Sequence, residues 1–249
     1  MSFGNVVLLL IGLGLSGLAV TPAAAETPVP LARAALPPAL VFEDFLQAEQ
    51  GGTWPAGWRA LKDDREARGV YSLTGRGGHP ALRAHARGNA AIIGKEFSFD
   101  PHQHPLLNWE WRAIKFPSAG NEAVWERNDS VLGVLVAFRS GLLPIPRFIK
   151  YVWSSSLPAG TVVHVSGRMK IVVVESGEAR RGEWVEARVN LAEDYRRLYG
   201  AAPTRVMAIG LLTDADDTRS EAIGEYGRLL LHQFLPPAAQ GSPKPTPLR

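Results

Sequence analysis

Leu106-Leu107-Asn108-Trp109-Glu110-Trp111-Arg112-Ala113 is the stretch that decides the fold. Extended, it turns Leu107, Trp109, Trp111 and Ala113 to one side and Asn108, Glu110 and Arg112 to the other. Two tryptophans on one face bring ~150–250 Å² of apolar surface each, which suits a core or, as the alternative, a stacking platform for sugar rings. The polar face opposite is left for solvent or a ligand. The same two-residue period runs through residues 70–73, 81–86 and 92–97, with Gly, Pro, Asn and Asp between them as turn formers. Residues 131–138 and 206–212 are apolar at both parities, which predicts central strands covered on both sides. Residues 170–175 and 184–190 read as a hairpin pair, and 224–234 as the last strand.

One segment changes period. Leu191, Tyr195 and Leu198 make a helical stripe, with Asn190 placed to cap it, Glu193 three residues on and Gly200 after its end. Many strands and one short helix predict an all-β chain, a jelly-roll-type β-sandwich.

The flanks are of another kind. Residues 6–15 are uncharged and apolar apart from Gly12 and Gly14, and Ala23-Ala24-Ala25 is a small-residue cleavage site, so residues 1–25 read as a signal peptide. The front end has no Lys or Arg, which leaves an uncleaved membrane anchor as the competing reading. The run is short for a bilayer span, which needs ~20 residues, and no stable membrane span is expected after cleavage. Residues 26–40 read as a Pro/Ala-rich linker, 41–234 as the sandwich domain, and 235–249 as a disordered tail. The expected location is periplasmic or secreted.

The chain has no cysteine, which excludes a disulfide scaffold and any thiolate metal site. A net charge of +3 is modest, and no nucleic-acid partner is expected. The basic concentration of Arg59, Lys62, Arg65, Arg68, Arg76, Arg83 and Arg87 is diluted by Asp63, Asp64 and Glu66, and reads as a solvated face or an anion-binding one.

Three groups of residues are candidates for chemistry. Glu110 and Arg112 share the polar face of the Trp strand, placed to pair with each other or to bond ligand hydroxyls. Tyr151 and Trp153 share one face of another strand, either as core or as stacking platforms for sugar rings. Asp214, Asp216 and Asp217 leave the end of a buried strand, where carboxylates either brace a turn or hold a hard cation such as Ca²⁺. Glu43 and Asp44 would add ligands if the terminal strands pair, and Asn128-Asp129 stands at another strand mouth. The pattern lacks the glycine and distal Glu of a twelve-residue calcium loop.

Catalytic patterns are thin. There is no Gly-x-Ser-x-Gly elbow and no His-Glu-x-x-His. His102 and His104, flanked by prolines, read as a turn. Gly75-Arg76-Gly77-Gly78 reads as a hairpin turn, not a phosphate loop. Glu110 with Glu186 is the one carboxylate pair with the makings of a glycosidase dyad.

Taken together, residues 105–112, Asn128-Asp129, Tyr151-Val152-Trp153 and Thr213-Asp214-Ala215-Asp216-Asp217-Thr218 with Tyr226 resemble domain-of-unknown-function family 3047, over most of residues 41–234. The set is also similar, more loosely, to galactose-binding-like jelly-roll modules. The first resemblance implies an exported bacterial β-sandwich; the second implies carbohydrate binding and a structural calcium. The function expected is therefore a non-catalytic binding module for a glycan or similar polyhydroxylated ligand, contacted by Glu110, Arg112, Asp129, Tyr151, Trp153 and Asp214. The alternatives are a polysaccharide-active, glycoside hydrolase-like enzyme and an envelope scaffold that binds another protein.

Overall fold

The computed structural model describes residues 39–75, 78–140 and 145–233. The signal-peptide and tail segments lie outside the described residues, as do Arg76 and Gly77 of the glycine turn. Residues Ala39 and Leu40, read as the end of a linker, already belong to a strand.

Thirteen strands are described: β1 (Ala39–Glu43), β2 (Arg59–Ala60), β3 (Tyr71–Thr74), β4 (Ala81–Arg87), β5 (Ala90–Phe99), β6 (Leu106–Lys115), β7 (Leu132–Phe138), β8 (Arg147–Ser154), β9 (Val162–His164), β10 (Met169–Ser176), β11 (Val185–Asn190), β12 (Val206–Asp214) and β13 (Glu221–His232). They form two sheets. One runs β11-β6-β13-β4-β3, with β1 pairing the far end of β13; the other runs β2-β5-β12-β7-β8-β10-β9. All pairs are antiparallel except β8 with β10.

The Trp strand takes its expected place. Trp109 and Trp111 of β6 are buried, 5.1 Å apart edge to face. Across the gap they meet Tyr151 and Trp153 of β8, with ring centroids 5.9 and 5.8 Å apart. These four rings are the centre of the core. β7 and β12 lie side by side inside the seven-stranded sheet, as expected of strands apolar at both parities. Leu132, Val134, Val136 and Phe138 face the main core, while Leu135 and Ala137 join a smaller apolar cluster on the other side.

Polar ties cross the same gap. The Tyr226 hydroxyl, from β13, donates to the Leu212 carbonyl at 2.6 Å and accepts from the Gly133 amide at 3.1 Å. Burial pushes that phenol up, so it stays a neutral donor. Tyr226→Phe keeps the ring but leaves buried partners unsatisfied. It should cost about 1–3 kcal/mol, measured as a lower urea midpoint; a change under ~0.5 kcal/mol, ordinary for an unimportant surface site, would refute the tie.

Two expectations need correcting. Residues 170–175 and 184–190 are not a hairpin: β10 pairs with β8 and β9, whereas β11 pairs with β6 in the other sheet. The connection is an arch between sheets. Gly177 donates to the Ser154 carbonyl on one side and Gly182 to the Ala113 carbonyl on the other, both with positive φ. The helix count also rises by one. The expected helix is α2 (Leu191–Tyr199), capped by the Asn190 side chain and closed by Gly200 at φ 66°. Before it comes α1 (Asp64–Val70), in the stretch read only as a charge cluster. Its signal was present: Asp63 caps the Glu66 amide at 2.7 Å, and Glu66 stands three residues on.

Candidate functional site

The residues singled out in the sequence fall in three separate places. Tyr151 and Trp153 are 0% exposed, in the core. Tyr151 donates to Asp194 at 3.1 Å and Trp153 to the Gly177 carbonyl at 3.0 Å. Neither ring can stack on a ligand, because that strand face is the one covered by β6.

Glu110 and Arg112 lie on the outer face of the six-stranded sheet but do not pair with each other. Arg112 is bonded through Nε and Nη2 to Glu225, which Arg83 also contacts, and its guanidinium lies 5.0 Å over the Trp184 ring. Glu225 is only 4% exposed, so Arg112 is committed to a buried carboxylate. Glu110 stands between His79 at 3.3 Å and Arg228 at 3.6 Å. Glu186 is its direct cross-strand neighbour, but bonds to Asn108 at 2.7 Å. The carboxylate dyad is thus adjacent in register: Glu186 is bonded to Asn108, whereas Glu110 has ion-pair contacts with His79 and Arg228 but keeps Oε2 buried without a hydrogen-bond partner.

The third place is a strand end. Asp214 closes β12, and its amide donates to the Ser130 carbonyl beside β7. This brings Asp129, Asp214 and Asp216 together, with ligand oxygens all within 4.8 Å of one another. Asp129 is fully buried and organises the turn: the Thr218 amide donates to it at 2.8 Å, the Thr218 hydroxyl does so too, and the Asp217 amide at 3.3 Å. Asp217 does not join the group as expected. Its amide donates to Asp129, which takes the third position. Glu43 is not near either. The terminal strands do pair, but Glu43 sits opposite Leu229, far along β13 from the acidic turn. There it accepts from Trp58 at 2.7 Å and Lys95 at 2.9 Å.

The electrostatics of this end are unbalanced. Oδ1 of Asp214 is buried without a hydrogen-bond partner. Burial first, then the carboxylates of Asp216 and Asp129, push its pKa well above the usual carboxylate value, against a pull from Lys150. Lys150 is itself only 5% exposed. Its stem lies over Gly133, where an added Cβ would sit 3.2 Å from Lys150 Cε. The missing side chain at Gly133 leaves the lysine its path along the sheet. One ammonium among three converging carboxylates leaves an excess of negative charge, which suits a hard cation with oxygen ligands.

Sequence reasoning missed Trp125. It lies in a short 3-10 turn (Trp125–Arg127) just before Asn128-Asp129 and is 61% exposed, against 0–3% for Trp58, Trp109, Trp111 and Trp153. No periodicity marks it, since it lies in a loop.

Among solved structures the chain is similar to a carbohydrate-binding module, TmCBM61, in complex with β-1,4-galactotriose. The identity is 9%, the match covers 77% of this chain and 99% of that one, and the TM-score is 0.35. It is similar to the family 30 carbohydrate-binding module of a cellulosomal cellulase of Clostridium thermocellum, at 8% identity, 80% and 95% coverage and TM-score 0.37. A third is a carbohydrate-binding module specific for non-crystalline cellulose, CBM28, at 9% identity, 80% and 94% coverage and TM-score 0.37. Similarity this low says nothing of what this chain binds. No curated protein matches it. The model for proteins of unknown function DUF3047 matches residues 56–230, from just before β2 into β13, and so takes in Trp125 and the whole acidic strand end. That match spans well over half the chain and nearly all of both sheets, and the chain therefore belongs to family DUF3047.

Proposed function

We propose that this chain is an exported, periplasmic or secreted binding module for a glycan or similar polyhydroxylated ligand, held at the strand end where Asp129, Asp214 and Asp216 converge. The observation that carries the reading is the placement of exposed Trp125 in the loop that also supplies Asp129. An exposed indole offers a flat apolar surface for a sugar ring. Asp129, Asp214 and Asp216 would hold a calcium ion, which either braces the loop or coordinates ligand hydroxyls directly. No helix among the described residues is long and apolar enough to cross a membrane. Binding ranks above catalysis because Glu186, one of the two acid/base candidates, is already bonded to Asn108 on its own sheet.

The test is an oligosaccharide and polysaccharide array probed with the full chain, first with calcium and then with chelator. Saturable binding to one glycan class is expected, weakened by chelator. Trp125→Ala should reduce it by roughly 30-fold, the ~2 kcal/mol of an aromatic hot spot, with Tm unchanged because the side chain packs little. A blank array under both conditions, or full binding by Trp125→Ala, would reject this assignment and favour a protein partner.

A further inference from the structure

The opposite end of the sandwich holds a cluster of the other sign. β8 begins at Arg147 and pairs there with Phe138, the last residue of β7. The acidic strand end lies at the start of β7, so the two ends are separated by about 20 Å, the length of a seven-residue strand. At the Arg147 end, β10 places Lys170 opposite Ile149 of β8 on one side and His164 of β9 on the other. Helix α2 closes over them with Tyr195 and Tyr199.

The geometry of these groups is specific. Lys170 is only 8% exposed, and its ammonium donates to Nδ1 of His164 at 2.9 Å. Burial, and then the Lys170 charge, hold the His164 imidazolium below its usual value, so the ring serves as a neutral acceptor. The Arg147 guanidinium lies 4.9 Å over the Tyr199 ring and donates to the Tyr195 hydroxyl at 3.3 Å. Lys170 approaches the same Tyr199 ring at 5.8 Å. The Tyr199 hydroxyl is fixed between two carbonyls, donating to that of Phe148 at 2.6 Å with that of Arg168 3.0 Å away. Arg168 donates to the Ile145 carbonyl at 2.9 Å. Among the described residues none of Arg147, Arg168 and Lys170 is paired with a carboxylate. The charge that Lys170 feels most is Arg147, another cation.

A cation drawn out of water is stable only when an opposite charge meets it. Two tyrosine faces and a neutral imidazole offset part of that cost, but none of them carries a negative charge. We propose that Lys170 and Arg147 form an oxyanion-binding site, for a carboxylate, sulfate or phosphate group on a ligand, with His164 and Tyr199 holding the two cations in position. The site is independent of the acidic strand end, and Trp125 takes no part in it.

The experiment is calorimetric titration of the full chain with sodium glucuronate, sodium sulfate and sodium phosphate at matched ionic strength, with sodium chloride and glucose as controls. Saturable binding of at least one oxyanion is expected, with none for chloride or glucose. The tightest of the three identifies the source: glucuronate a uronic acid, sulfate or phosphate the matching ester. Lys170→Met and Arg147→Gln should each weaken binding tenfold or more, as loss of one partner of a desolvated charge pair does. Lys170→Met removes an uncompensated buried charge, so its Tm without added anion should equal or exceed that of the parent, which separates lost binding from lost folding. Trp125→Ala should bind the oxyanion normally. Absence of saturable binding for all three anions, or equal binding by both charge variants, overturns the proposal.

Discussion

Asp214→Asn is expected to raise the stability of the metal-free protein at neutral pH and to abolish its response to calcium. Both effects follow from one unpartnered oxygen. Burial raises the Asp214 pKa in the folded state above its ordinary value of 3.8, and Asp216 and Asp129 raise it further. A carboxyl raised on folding binds its proton more tightly in the native state than in the unfolded chain. The stability it contributes is full below the unfolded pKa and is lost as pH rises through the native one. At neutral pH the native state therefore carries the cost of a poorly solvated acid, which the amide of Asn removes. The gain should be about 1–3 kcal/mol, or roughly 3–10 °C in Tm for a chain of this size, and it should vanish in acid. Calcium bound as proposed would act on the same cost in the parent protein. At a free concentration 100 times Kd it should add ~2.7 kcal/mol, and Asp214→Asn should show none of that increment. The measurement is Tm against pH, with calcium and with chelator. A parent Tm indifferent to calcium would remove the cation from the site, and a variant less stable at every pH would show that Asp214 has a partner the geometry does not reveal.

A one-dimensional pattern carries local chemistry and parity, and little about which distant strands meet. Trp109 and Trp111 could be placed because alternation fixes which residues share a face, and two indoles on one face favour the core over an exposed platform. Asn190 and Gly200 could be placed because caps are local chemistry. Tyr151 and Trp153 share a face just as plainly, yet parity does not say which face of a strand a second sheet will cover. Their burial depends on β6 lying opposite, which is a long-range fact. The arch at Gly177 and Gly182 has the same origin: seven residues with two glycines serve a hairpin or a crossing equally well, and the pairing of β11 with β6 decides. The acidic site was half legible. Asp214 and Asp216 stand together in the chain, but Asp129 reaches them only because β7 and β12 are neighbours in one sheet. Asp217 enters this turn through its amide, which donates to Asp129, and that long-range contact has no sequence signature.

Trp153→Ala should destabilise the protein by about 3–5 kcal/mol, the ordinary cost of emptying a core position of this size. The ring is fully buried between Trp111 at 5.8 Å and Phe116 at 6.0 Å, so both neighbours would border the cavity. The indole N–H also holds the Gly177 carbonyl, so the arch between the sheets loses a tie as well. A stacking role would give the opposite pattern, with large loss of affinity and little loss of stability, because an exposed platform packs against nothing in the free protein. Trp153→Phe separates the two more finely. It keeps most of the apolar volume while removing the donor, so it should cost less than the alanine change and leave the affinity of the folded molecule untouched. Urea unfolding and glycan titration of the two variants side by side decide the matter. A cost below ~1 kcal/mol for Trp153→Ala would contradict the core assignment, and a folded Trp153→Phe that fails to bind would return this ring to the ligand.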